Sequence, residues 1–449
     1  MTPDEYVQDI VAHYLEHHSF SKTLETFEIE ANRKFNTARV EESLTSIVND
    51  RVNFKELRDN AALNDNDDDS PVYTPQQIQL INDRLLQIPM WTVVKPTDKQ
   101  ELDILKDSLV IYSRYDRIKV DGADFNVGIF TTSGLSLCIY DLDANTLLMS
   151  NSGLHPSNPI KAVLCVPDTD IVLMCGMEGS LTVGRLVKDR DGLALVKLVE
   201  GIKLHKRLIT SIDYISFSKN MGYLCSVGWD SKFVVHKVQL NEDNPAIIKL
   251  DEKSLRTKAT CLLTMTDRES GLPVILVGST DSSMISMFII SNSEKLVEVA
   301  KLSLNDSEFS SHSFQPMTLA QVGTNLVSVG TDHVPYLRVI TIMIPSIRGV
   351  LKQNLPIIRN IIVSNLNSMT PQNKYSSPIL LNRPDDKQGI WILGDDGTIR
   401  GFDLSTGKVV ETLKTHKGRI KTAFVGTNSK HQEIIVSTGA MDRTIALWK

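Results

Sequence analysis

Residues 439–449 read GAMDRTIALWK, and residues 228–238 read GWDSKFVVHKV. Each opens on glycine, passes through an acid and continues as an alternating run. That pattern is a tight turn delivering a short strand. Five further stretches share the layout: TTSGLSLCIYDL (131–142, without the acid), GMEGSLTVGRL (176–186), GSTDSSMISMF (278–288), GTDHVPYLRVI (330–340) and GDDGTIRGFDL (394–404). The acids Glu178, Asp230, Asp281, Asp332, Asp396 and Asp442 are separated by 52, 51, 51, 64 and 46 residues. A period of this size marks an array of supersecondary units. Each unit has room for about four short strands, too few to bury a sheet face alone. Closing seven such units into a ring covers both faces of every sheet.

The last unit adds more. LKTHKGRIKTAFV (413–425) carries His416, and IIVSTGAMDRTIALWK (434–449) carries Ser437, Asp442 and Trp448. This constellation resembles the WD40 β-propeller family, and the resemblance spans roughly residues 105–449. In that family a loop histidine, a strand serine or threonine, the turn aspartate and a strand tryptophan form a hydrogen-bonded network across a blade. The resemblance implies the same network for His416, Ser437, Asp442 and Trp448, and a partial one for His205, Ser226 and Asp230. A buried histidine and aspartate are tolerable when they satisfy each other, so such a network fixes turn and blade register. A histidine beside an aspartate also looks like a base and its orienter, but the place of both in a repeat favours the structural role. The other units keep only the turn.

GAMDRTIALWK supplies a turn and third strand, so the seventh blade still needs an outer strand. Propellers of the resembled family usually borrow it from the other end of the chain. Ser108–Ser113 (SLVIYS) is the preferred donor, with Met90–Lys95 (MWTVVK) as the alternative. The 64-residue step contains Met343–Pro378, whose Pro/Asn/Ser tail from Asn365 reads as an extended surface loop.

Upstream the period is helical. Val7, Ile10, Val11, Tyr14 and Leu15 make one stripe, and Leu24 and Phe27 belong to a second, after a break at HHSF (17–20). Tyr14-Leu15, Ser19-Phe20, Thr23-Leu24 and Phe27 resemble the LisH motif, with Ser19 in place of the turn glycine and Leu24 in place of a small residue. The resemblance implies a dimerising hairpin over residues 1–35, using Ile10, Tyr14, Leu15, Phe20, Leu24 and Phe27. Residues 36–62 read as a helical extension, with periodicity over 41–58, and 63–72 as an acidic linker around NDNDDDSP (64–71). That run lacks the glycine and glutamate of a calcium loop. Residues 73–104 read as a helix and lead-in, the helix starting at Thr74-Pro75. The expected fold is mostly β: a seven-bladed WD40-type β-propeller over 105–449, preceded by a small N-terminal α-helical LisH-like domain.

Chemistry is sparse. The net charge of −6 gives no global attraction to nucleic acid or anionic membrane. No apolar run reaches membrane-span length. The start, MTPDEYVQDI, is too acidic and polar for a targeting peptide. Cys138, Cys165, Cys175, Cys225 and Cys261 are scattered in apolar stretches and read as buried free thiols, which suits the cytoplasm or nucleus. His17 and His18 are adjacent on a helix and diverge, so they hold no metal. Glycines occur singly in turns, without a phosphate loop, and no Gly-x-Ser-x-Gly elbow is present.

No catalytic, cofactor-binding or metal residue is therefore expected. The layout implies a non-enzymatic adaptor or scaffold subunit of a multiprotein complex, dimerising through the hairpin and binding proteins with the propeller loop face. Similar layouts serve corepressor, ubiquitin-ligase, splicing and dynein-type assemblies. Lys206, Arg207, Lys417 and Arg419 lie in corresponding loops and are candidate partner contacts. They also support the alternative, a nucleic-acid-associated propeller. An enzyme with a channel site ranks lower, because the inner strand starts read as small and apolar.

Overall fold

In the computed structural model the described residues are 3–35, 37, 44, 91 and 96–105, and from 108 onward all but 155–157, 191, 219, 242–244, 292, 306–313, 354 and 385–386. Apart from Leu44 and Trp91, the helical readings over 41–58 and from Thr74, the acidic run and the MWTVVK run lie outside them. The chain divides into two units, Met1–Asn82 and Asp83–Lys449.

In the first unit, helices α1 (Pro3–His17) and α2 (Ser21–Glu30) are joined by a tight turn. Ser19 has φ +60 there, a left-handed conformation for which glycine is the unstrained choice. Ile10 is buried, while Tyr14, Leu15, Leu24 and Phe27 are half-buried and Phe20 is exposed. Helix α2 buries no residue. Arg33 reaches back to Asp9, and Phe27 stacks on Phe35 at 5.0 Å between ring centres.

The second unit is a seven-bladed β-propeller. Six blades are consecutive antiparallel meanders at 110–152, 160–203, 209–254, 259–303, 316–371 and 379–414, and the seventh spans 420–448. Middle strands such as Ile171–Gly176 and Glu433–Gly439 are buried at every residue, because both sheet faces meet a neighbouring blade. Outer strands such as Lys408–Lys414 are largely exposed. The apolar core is correspondingly split into seven clusters, one between each adjacent pair of blades.

The ring closes differently from the expectation. The outer strand of blade seven is Lys99–Glu101, paired antiparallel with Ile445–Trp448 so that Lys99 lies opposite Trp448. Main-chain bonds extend the ladder at both ends: Leu102 N–H donates to Ile445 O (2.9 Å), and Lys449 N–H to Asp98 O (3.0 Å). The preferred donor does not close the ring, and the alternative lies outside the described residues apart from Trp91. Ser108–Ser113 instead leads into Val110–Val120, the innermost strand of blade one. Its apolar pattern reflects burial in the ring's interior.

The long step is also corrected. Residues 365–371 belong to Ile362–Pro371, the outer strand of blade five, rather than to a loop. The extra length precedes it, as helix α3 (Ile347–Gln353) and a short strand, Ile357–Ile358. That strand pairs parallel with the outer strand of blade four. Ile344, Ile347, Val350, Ile358 and Ile361 are buried in the cluster between blades four and five. The insertion is a packed strap across two blades.

Innermost strands share one irregularity. The register shifts at the second residue in six blades: Ile111, Lys161, Thr210, Thr260, Met317 and Lys421. An extra residue on one strand bends it and leaves that residue outside the ladder.

Candidate functional site

Antiparallel meanders place the quoted turns and the blade-to-blade connections at the same edge of every sheet. These segments therefore form one face of the ring, here the turn face. In blade three, His205 Nδ1 lies 2.9 Å from Asp230 Oδ1, and Nε2 lies 2.9 Å from Ser226 Oγ. The Lys206 amide donates to Asp230 Oδ2 at 2.9 Å. Blade seven repeats this with His416: Nδ1 is 3.2 Å from Asp442, Nε2 is 3.0 Å from Ser437 Oγ, and the Lys417 amide donates to Asp442 at 3.1 Å. A carboxylate only accepts, so Nδ1 carries the proton in both.

Burial alone would push the Asp230 and Asp442 carboxyls up. The Lys206 and Lys417 amides and the histidines outweigh it and hold both below the ordinary value. Burial lowers His416, against the pull of Asp442. These triads are enclosed: Ser226 and Ser437 are 0% exposed. The glycine of the repeat has its reason here. A Cβ on Gly228 would sit 2.8 Å from His205 Nδ1, and one on Gly439 would sit 2.7 Å from His416 Nδ1.

Trp448 does not join the network. Among the described residues its buried Nε1 has no hydrogen-bond partner, and its ring packs in the cluster between blades six and seven, with Lys99 Nζ 5.9 Å from the ring centre. In blade three His236 holds the corresponding position, opposite Leu224 as Trp448 is opposite Ile435. His236 is buried, and burial first, then Lys249 and His205, pushes its pKa down to about 4. The sequence pattern gave no sign of it, since a histidine within a valine-rich strand is unlike a tryptophan. Elsewhere the turn acid is answered otherwise. Asp396 pairs with Arg400 at 2.6 Å, Glu178 is held by Ser180, and Asp332 accepts from the Gln315 amide at 3.0 Å.

Lys206, Arg207 and Lys417 are exposed on the turn face, whereas Arg419 is half-buried and 3.4 Å from Asp395. The same face exposes apolar side chains that the sequence did not single out: Trp229, Val334, Tyr336, Tyr375 (88% exposed) and Met441 (77%). Lys258 Nζ stands 5.2 Å from the Trp229 ring centre. At the opposite face, the ends of the innermost strands of blades three to six border a cavity of about 840 Å³, lined by Tyr214, Thr266, Gln321, Arg383 and Gln388 among others.

The innermost strands are not simply small and apolar. Arg114 Nε donates to Asp116 at 2.8 Å and senses Asp213 from blade three. Asp116 accepts from the Cys165 amide, and Asp213 from the Thr264 amide, both at 2.8 Å. These carboxylates tie one blade to the next. All five cysteines are free and buried. Among the described residues, no group of three or more His, Cys, Asp or Glu is placed to hold a metal, and no helix is long and apolar enough to cross a membrane.

Residues 77–449 match the family described as UCP007778, beta-propeller domain. The chain belongs to that family. It is also similar to the uncharacterized protein YGR117C of Saccharomyces cerevisiae, at 23% identity over 442 residues, covering 90% of this chain and 88% of the yeast protein.

Proposed function

We propose that the chain is a non-enzymatic adaptor of the WD40 type, whose turn face binds protein partners and whose LisH-like hairpin joins two copies. The observation that carries this reading is the exposed set Trp229, Tyr336, Tyr375 and Met441 beside the basic connections. Large apolar side chains with basic neighbours on a rigid face suit protein docking. The enclosed His–Ser–Asp triads fit the WD40 resemblance and speak against a hydrolytic role. For the hairpin, Ser19 at φ +60 suits the LisH turn, and an α2 without a buried residue leaves an apolar stripe for a second copy. Two linked rings would engage a multivalent target with raised effective concentration. Free buried thiols accord with a cytoplasmic or nuclear setting.

Two measurements test this. Affinity purification with mass spectrometry compares the native chain with a Trp229→Ser/Tyr375→Ser variant and with Phe217→Ser, which alters the opposite face. Partners lost only with the first variant support the reading; an unchanged partner set sinks it. Sedimentation compares the full chain with one starting at residue 72. A dimer that becomes a monomer is expected, and equal monomeric behaviour removes the hairpin role. The nucleic-acid reading rests on Lys206, Arg207 and Lys417 sharing one exposed face. It predicts RNA or DNA binding at low salt that charge reversal of these residues abolishes.

A further inference from the structure

Lys161 and Lys421 occupy the same bulged position on the innermost strands of blades two and seven. Blade one stands between them and fills that position with Ile111. The two blades are not neighbours in the ring, yet the Lys421 charge reaches Lys161. Together with burial, it lowers the Lys161 ammonium from the ordinary lysine value. Side chains from non-adjacent blades approach each other only through the central opening. Both lysines stand at the start of an innermost strand, and so at the mouth of that opening on the turn face.

Among the described residues, no carboxylate lies within ion-pair distance of either lysine. The next bulged positions round the ring, Thr210 and Thr260, bring hydroxyls bonded to Val227 O and Pro316 O rather than negative charge. Three residues along the innermost strand from Ile111, the cation Arg114 is answered by Asp116 and Asp213. The channel is charge-compensated there and uncompensated at its mouth. A half-buried ammonium with a second one beside it is unfavourable, and an anion seated between them relieves both.

We propose that Lys161 and Lys421 form an anion site at the mouth of the channel, which seats an acidic side chain of a partner polypeptide. This names the chemistry recognised by the adaptor face and rests on that reading. A peptide is favoured over a nucleic acid because Glu178, Asp230, Asp281, Asp332, Asp396 and Asp442 ring the same face. A phosphate backbone crossing the face would run past this ring of negative charge, of which Asp281 and Asp396 are exposed, whereas a single acid seated at the centre engages the two lysines alone. Lysine offers a compact point charge without the planar fork of arginine, so it accepts a carboxylate in many orientations.

The test uses the full chain and a fluorescein-labelled hexaglutamate peptide, followed by anisotropy at low salt. Expected are binding to the native chain, at least about fivefold weakening in Lys161→Gln and in Lys421→Gln, and a change under about twofold in Lys352→Gln, which alters the exposed helix α3 away from the turn face. Because two ammonium groups repel, Lys161→Gln should also raise Tm by about 2 °C, which separates loss of binding from loss of fold. Absent peptide binding, or equal binding by a Lys161→Gln/Lys421→Gln chain, overturns the proposal. So does lysine-dependent binding of inorganic phosphate or of labelled oligo(dT) without binding of hexaglutamate. Lysine-dependent hexaglutamate binding alongside a partner set insensitive to the turn face would keep the site and remove the adaptor reading.

Discussion

Arg383 and Glu433 form an ion pair that water does not reach, joining blade six to blade seven with Nη2 2.6 Å from Oε2. The side chains are 0% and 2% exposed. Trp391 Nε1 donates to the same carboxylate at 2.8 Å, and the Trp91 ring centre lies 4.0 Å from the guanidinium carbon. Arg383→Met would strand a buried carboxylate and cost about 3–5 kcal/mol. Arg383→Met/Glu433→Leu should recover most of that loss. Urea unfolding of the three chains decides it; a double variant no better than the single one would contradict the account.

Acid should weaken the fold through His236. Its folded pKa is about 4 against an ordinary 6.5. Between those values the unfolded chain takes up a proton that the folded chain refuses. The contribution is complete above pH 6.5, falls as pH drops towards 4 and levels off below, a loss of roughly 3 kcal/mol. His236→Phe removes that part of the pH dependence. Stability curves of native and variant chains that run parallel from pH 7 to 4 would refute the assignment.

The triad and the tryptophan should separate on mutation. His416→Ala leaves Ser437 and Asp442 without their ring partner and should cost about 2–3 kcal/mol. Trp448→Phe loses packing but no hydrogen bond, so it should cost under about 1.5 kcal/mol. Equal losses in denaturant titrations would mean that the indole N–H is engaged after all.

The closing strand is held by main chain. Asp98 and Leu102 bond to Lys449 and Ile445, so antiparallel alternation gives Gln100 the next ladder bond, to Leu447, and turns the Glu101 amide outward. Gln100→Pro should lower the melting point more than Glu101→Pro. Proteolysis at 445–449 should quicken in step. The reverse order would place the register one residue away.

The turns were legible because they are chemistry written locally. Gly228 and Gly439 make room for a His–Asp pair, and the acid follows at fixed spacing. The closing strand was not legible, since Lys99, Gln100 and Glu101 are all exposed and carry no apolar pattern. Ser108–Ser113 reads as a separate strand because the buried interior of blade one demands the apolar character that an edge strand lacks. Residues 365–371 looked like a loop because the asparagines of an outer strand face solvent. The Lys161–Lys421 pair was hidden for another reason. It depends on a backbone bulge and on ring geometry, and the two lysines lie far apart in the sequence.

The Lys99–Trp448 pairing also sets an order in time. A chain made from its amino end releases Lys99–Glu101 before any blade exists, and Ile445–Trp448 after all the others are made. Blades one to six can form as they emerge, each from neighbouring segments. The ring itself stays open until a contact spanning nearly 350 residues is found. Such a contact is slow to form, and the waiting seventh blade offers an unpaired edge to any other chain nearby. Newly made protein is therefore most prone to pair wrongly during that interval, and molecules that have closed no longer carry the hazard.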